Sequence, residues 1–157
     1  MIDTLQYLTF YIGDEVFALE VLKIKEIIPY NDITPIPMMQ CYIKGVMNIR
    51  GNVVPIIDLN KRVELNIDVH SSKLSIIIIT LKYNDDEFDD IGIIVSQVDK
   101  VFTKENSTLE SSPTFGSKIR KDLIKNIAKV DDTFIPILDI DKILDINDLS
   151  KTLQEMD

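Results

Sequence analysis

Apolar residues along this chain fall mostly into short runs with a period of two, bounded by Gly, Pro, Asn and Asp, and this pattern predicts strands rather than helices. Leu5 to Ile12 reads as a first strand. Gly13-Asp14 supplies a tight turn, and Val16-Phe17-Ala18-Leu19 completes a hairpin. Ile24 to Ile28 continues extended until Pro29. Pro35-Ile36-Pro37 forms a rigid loop that no helix can cross, and Met38 to Ile43 predicts a short helical segment before Gly45. Val46 to Ile49 and Val53 to Ile57 read as strands joined by a Gly51-Asn52 turn. Leu74 to Leu81 and Ile91 to Val95 predict a further hairpin across the acidic turn Asn84-Asp85-Asp86-Glu87. The polar stretch Thr103 to Lys118 reads as a long exposed loop. Asn147 to Asp157 predicts a C-terminal helix, with Leu149, Leu153 and Met156 at helical spacing.

The chain also repeats itself. A shift of 81 lays Ile43 to Asp58 over Ile124 to Asp139, with Pro55-Ile56-Ile57-Asp58 on Pro136-Ile137-Leu138-Asp139. A shift of 74 lays Phe17 to Ile28 over Ile91 to Phe102 with the apolar positions largely in phase. One strand-rich unit used twice predicts a mainly β fold of two five-stranded barrels about a pseudo-twofold axis, not an α/β fold. The halves divide approximately at 1–72 and 73–157, with strands able to cross between them, inside a single domain.

Composition agrees with this reading. Isoleucine, a β-branched residue, fills 27 of 157 positions. No uninterrupted apolar run is longer than that of Ile76 to Ile79, which is far too short to cross a bilayer, and the first residues have neither the basic stretch nor the apolar region of a signal peptide, so a cytosolic protein is expected. A net charge of −9 disfavours nucleic acid as a partner. Lone Cys41 and lone His70 make neither an internal disulfide nor a Cys/His metal cluster.

The duplicated aspartates Asp58 and Asp139 raise the possibility of a shared-proton carboxylate pair. Each is followed by residues unlike the Thr/Ser-Gly turn such a site needs, and both read better as helix caps. Glycine-rich phosphate loops are absent, and His70 has no nucleophile elbow or oxyanion donors to accompany it. No catalytic residue, metal or cofactor is expected.

Three segments resemble the CheW family: Phe10-Tyr11-Ile12-Gly13-Asp14-Glu15-Val16-Phe17-Ala18-Leu19, Leu22-Lys23-Ile24-Lys25-Glu26-Ile27, and Ile43 to Leu59, the most specific of the three. Weaker similarity continues through Gly92 to Val95 and Phe134 to Asp139. The departures are Asn126, where the family has glycine, and Ser96, where it commonly has aspartate. Asparagine tolerates φ > 0, so a turn at Asn126 is expected to survive. The resemblance implies two SH3-like barrels and a stand-alone adaptor, recruited to membrane-associated arrays without inserting into the bilayer. It would couple the regulatory domain of the histidine kinase CheA to the helical tip of methyl-accepting chemotaxis receptors. Arg50 and Glu26 are the leading partner-binding candidates. Residue pattern alone allows an ordinary surface ion pair, and the family motif at Arg50 favours recognition. Ile24 and Val53 are candidate exposed apolar contacts, each equally able to face a core. Val95 and Val98 are candidates for a groove between the barrels that would take a receptor helix. The Asn31-Asp32 turn and the Pro35-Ile36-Pro37 loop are expected to meet the kinase. The alternative is a small β-barrel that binds a ligand or inhibits a kinase.

Overall fold

The computed structural model describes residues 4–37, 42–63, 65, 73–84, 87–111 and 121–144. The alternating segments form strands β1 (Thr4–Ile12), β2 (Glu15–Glu20), β3 (Ile24–Pro29), β4 (Ile43–Ile49), β5 (Asn52–Asp58), β6 (Ser75–Asn84), β7 (Glu87–Val95), β8 (Gln97–Glu105), β9 (Ile124–Val130) and β10 (Thr133–Leu138). Two one-turn helices, α1 (Leu59–Arg62) and α2 (Ile140–Ile143), follow β5 and β10, and 3-10 turns lie at Val21–Lys23, Asn106–Thr108 and Lys121–Leu123.

The strands form two five-stranded sheets, one in the order β8-β1-β2-β10-β9 and the other β3-β6-β7-β5-β4. The repeat maps one order onto the other, strand for strand. The parallel pairing of Ala18 with Ile137 in the first sheet is matched by that of Gly92 with Ile56 in the second, and both residues shift by the offsets seen in the sequence. The repeat boundary near residue 72 therefore does not separate the barrels. Barrel A takes β1 and β2 from one half and β8 to β10 from the other, while barrel B takes β3 to β5 and β6 to β7. The chain crosses from A to B through Val21–Lys23 and back through Ser96.

Each sheet curls so that its edges meet at one bridge. Thr34, beyond β3, exchanges two backbone hydrogen bonds of 2.9 Å with Val46 of β4, and Glu110, beyond β8, does the same with Ile127 of β9. These bridges turn open sheets into barrels.

Burial explains the uninterrupted Ile76 to Ile79 run. Ile76 and Ile78 point into barrel B with Met47, Val54, Ile56 and Ile94. Ile77 and Ile79 face the other way, into a larger core shared between the barrels with Leu8, Phe10, Phe17, Leu19, Ile91 and Ile93. A strand with core on both faces has no polar position to alternate with. Barrel A has its own smaller interior of Tyr7, Ala18, Ala128, Ile135 and Ile137.

Several expectations change at the level of elements. The β4–β5 turn is Arg50-Gly51, not Gly51-Asn52, because Ile49 pairs with Asn52. The polar stretch from Thr103 is strand to Glu105, since β8 has an edge of barrel A to complete. Residues 112–120 of that predicted loop, most of the helical segment from Met38, the tip of the acidic turn at Asp85 and Asp86, Cys41, His70 and the C-terminal helix lie outside the described residues. Of the two predicted caps, Asp139 accepts a hydrogen bond from the Lys142 amide at 3.2 Å, whereas the Asp58 side chain caps nothing. Asn126 needs no positive φ. Gly45, its counterpart, has φ 152 and packs against Thr34, where a Cβ would collide with the Thr34 carbonyl oxygen.

Candidate functional site

The β4–β5 hairpin closes with both central residues left-handed, Arg50 at φ 52 and Gly51 at φ 84, the conformation a two-residue turn needs to match strand twist. Glycine takes it without strain, and the Asn48 side chain accepts the Gly51 amide at 3.0 Å. Arginine at the first position is strained, where Asn, Asp or Gly would be favoured. Its guanidinium reaches Glu26 at 2.9 Å. β3 and β4 are not ladder neighbours; they are opposite edges of one sheet, and barrel closure brings this pair together. Glu26 lies opposite Ile78, which points into the barrel, and its side chain is 19% exposed, while that of Arg50 is 74% exposed. The carboxylate is thus held in the seam and fixes a guanidinium whose remaining donors face outward. Val53, 69% exposed, stands three residues along the same hairpin.

The other candidates separate. Val95 is 2% exposed and belongs to the inter-barrel core, which rules it out as a surface contact: β7 is a central strand with core on both faces. Ile24 and Val98 are half-buried at the margin of that same core and are equivalent under the repeat, each near the point where the chain crosses between barrels. They line the junction, as a groove there requires, but they do not adjoin Arg50 in the strand ladder.

Sequence reasoning missed the matching hairpin of barrel A. Asp131 and Asp132, at φ 49 and 64, form the turn between β9 and β10, at the positions of Arg50 and Gly51. Phe134, the counterpart of Val53, is 56% exposed, with Lys129 Nζ 5.8 Å from its ring centre. The position of Glu26 is taken by Lys100 and that of Arg50 by Asp131, so the signs are exchanged. The shift of 81 already aligned these residues and was the available signal.

Three further polar groups among the described residues are shifted by their neighbours. The hydrogen bond to Glu20 holds the Lys125 ammonium above its usual range despite partial burial, and burial with Glu20 alongside pushes the Tyr7 hydroxyl up. Burial alone would raise the Asp90 carboxyl, but hydrogen bonds from Lys25 and Thr80, with the Lys25 charge, bring it below the usual carboxylate range. Among the described residues no group of His, Cys, Asp and Glu is placed to hold a metal ion, and no helix is long and apolar enough to cross a membrane.

Paired five-stranded barrels, sharing a core and presenting hairpin ends, define a β-barrel domain whose distinctive chemistry lies on its surface. The chain belongs to the CheW family, with the CheW-like domain model matching residues 6–148. It is 33% identical over 138 residues to the chemotaxis protein CheW of Bacillus subtilis, covering 88% of this chain and 85% of that protein. With CheW of Thermotoga maritima it shares 33% over 143 residues, 89% of this chain and 87% of the relative. Its fold matches the crystal structure of the scaffolding protein TtCheW from Thermoanaerobacter tengcongensis with a TM-score of 0.81 at 26% identity, over 94% of this chain and 92% of that one.

Proposed function

We propose that this chain is a non-enzymatic adaptor, acting in the cytoplasm, that couples methyl-accepting chemotaxis receptors to the histidine kinase CheA within receptor arrays. Family membership and the scaffolding role of the similar structure support the adaptor reading. One observation carries the site: an arginine kept in a left-handed turn position that Asn or Gly would fill with less strain, its guanidinium fixed by a half-buried glutamate and turned to solvent. The turn gains nothing from an arginine at this position, which supports a role in contact rather than in folding. With Val53 beside it, the hairpin offers one charged and one apolar anchor to a kinase regulatory domain. Ile24 and Val98, at the margin of the inter-barrel core, suit the apolar face of a receptor's helical hairpin.

The test is binding of the full chain, measured separately to the CheA regulatory domain and to a receptor tip fragment. Arg50→Ala is expected to melt within a few degrees of wild type, because an exposed ion pair contributes only ~0–1 kcal/mol. It should weaken one partner selectively. Glu26→Ala should weaken the same partner, and the double variant should lose less than the two single losses combined. Unchanged affinity of Arg50→Ala for both partners would refute the site, and absence of wild-type binding to either would refute the coupling role.

A further inference from the structure

The two barrels share an apolar core and are joined by the crossovers at Val21–Lys23 and Ser96; burial itself is non-directional, so polar contacts at the junction add the direction it lacks. Among the described residues a directional contact joins the two short helices, beside the Lys23–Asp141 ion pair that ties α2 to the crossover into barrel B. Arg62, the last residue of α1, donates from Nε to the carbonyl oxygen of Ile143, the last residue of α2, at 2.7 Å. Its guanidinium carbon lies 5.3 Å from the ring centre of Tyr42, just before β4. Arg62 and Tyr42 belong to barrel B, and α2 follows β10 of barrel A. Both helices pack on the shared core through Leu59, Ile140 and Ile143.

The repeat gives this contact its meaning. A shift of 81 carries 62 onto 143, so Arg62 bonds to its own counterpart in the other half. Two equivalent residues that meet must do so about the pseudo-twofold axis. Ile143 has no side-chain donor to return the bond, so the contact runs in one sense only. The carbonyl it engages is one of those a helix C-terminus leaves without an intrahelical partner, and a charged donor makes the stronger kind of hydrogen bond. Stacking on Tyr42 sets the plane of the guanidinium.

We propose that Arg62 is a positioning residue that locks the mutual orientation of the two barrels and thereby fixes the angle at which a scaffold holds two partners. The orientation claim stands on geometry alone; its consequence for partners rests on the adaptor reading above.

The two are tested apart. In a Cys41→Ser background of the full chain, spin labels at Lys44→Cys in barrel B and Thr133→Cys in barrel A report the inter-barrel distance, and labels at Lys44→Cys and Lys82→Cys report a distance within barrel B. Arg62→Met is expected to broaden the inter-barrel distribution and leave the intra-barrel one narrow. Tyr42→Leu, which keeps the arginine but removes its platform, should broaden it less. An inter-barrel distribution as narrow as wild type in Arg62→Met overturns the proposal. Loss of the intra-barrel distance as well, in both variants, also overturns it, by making Arg62 a folding residue. Where wild type binds both the kinase regulatory domain and the receptor fragment, Arg62→Met should keep each separate affinity and lose the complex of all three. If wild type binds neither, the adaptor reading fails while the distance measurement still decides the role of Arg62.

Discussion

Glycines in this chain differ in what they avoid, and the difference predicts their substitution costs. At Gly45 a Cβ would strike the rigid Thr34 carbonyl in a backbone conformation already unfavourable to an L-residue, so Gly45→Ala should destabilise by more than about 2 kcal/mol in a thermal melt. At Gly92 the obstacles are side-chain rather than backbone atoms, Ile56 Cδ1 at 2.6 Å and Ile76 Cγ2 at 2.9 Å, and φ is not left-handed, so Gly92→Ala should cost less, about 1–2 kcal/mol. The reverse order would mean that the Thr34 bridge yields. Asp90 gives a pH signature. Its carboxyl is held below its unfolded value, so its contribution is present above the ordinary carboxylate range and is lost as pH falls through the lowered value. The stability gap between wild type and Asp90→Asn should therefore be full at neutral pH and close in acid. A gap that widens in acid would contradict the Lys25 and Thr80 contacts.

Among elements, the paired hairpins form a natural experiment. Both turns are two residues long with positive φ throughout, but barrel B has glycine at the second position and barrel A has Asp132. Asp132→Gly should stabilise by about 0.5–1 kcal/mol through relief of backbone strain, whereas Gly51→Val should destabilise by about 1–3 kcal/mol, measured by denaturant midpoints. The turn at Gly51 was legible because glycine and its neighbours are strong local signals; its register was misread by one residue. Register depends on which residues pair across the strands, and Ile49 pairs with Asn52 only when β4 and β5 lie together. The end of β8 has a loop-like sequence for a related reason. Its polar Thr103, Lys104 and Glu105 pair with Gln6, Leu5 and Thr4 at a sheet edge, where solvent faces one side and apolar alternation weakens.

For the whole molecule, the exchange of strands between halves has a direct consequence. Neither 1–72 nor 73–157 contains a complete barrel: the first supplies β1 and β2 to A and β3 to β5 to B, and the second supplies the rest. The separate fragments should lack cooperative unfolding, and mixing them should restore a strand-rich circular dichroism spectrum and a single melt. A cooperative melt of either fragment alone would contradict the exchange. Parting the two sequence halves would therefore break both barrels, whereas the barrels themselves are joined by the crossovers at Val21–Lys23 and Ser96 and by the core they share.

Local periodicity and the comparison of residues with residues suffice for the strand content, the duplication with its two offsets, a turn at Gly51 to within one residue and the family. The family resemblance also placed Arg50 beside Glu26, although the two are joined by no ladder. Tertiary packing makes Val95 core and leaves Val53 at the surface, since two valines on strands look alike until a second layer covers one of them. It decides, too, which strands complete which barrel. Strand pairing between distant segments depends on chain closure and on the face each strand buries, and a repeat is equally compatible with two self-contained halves and with two halves that exchange.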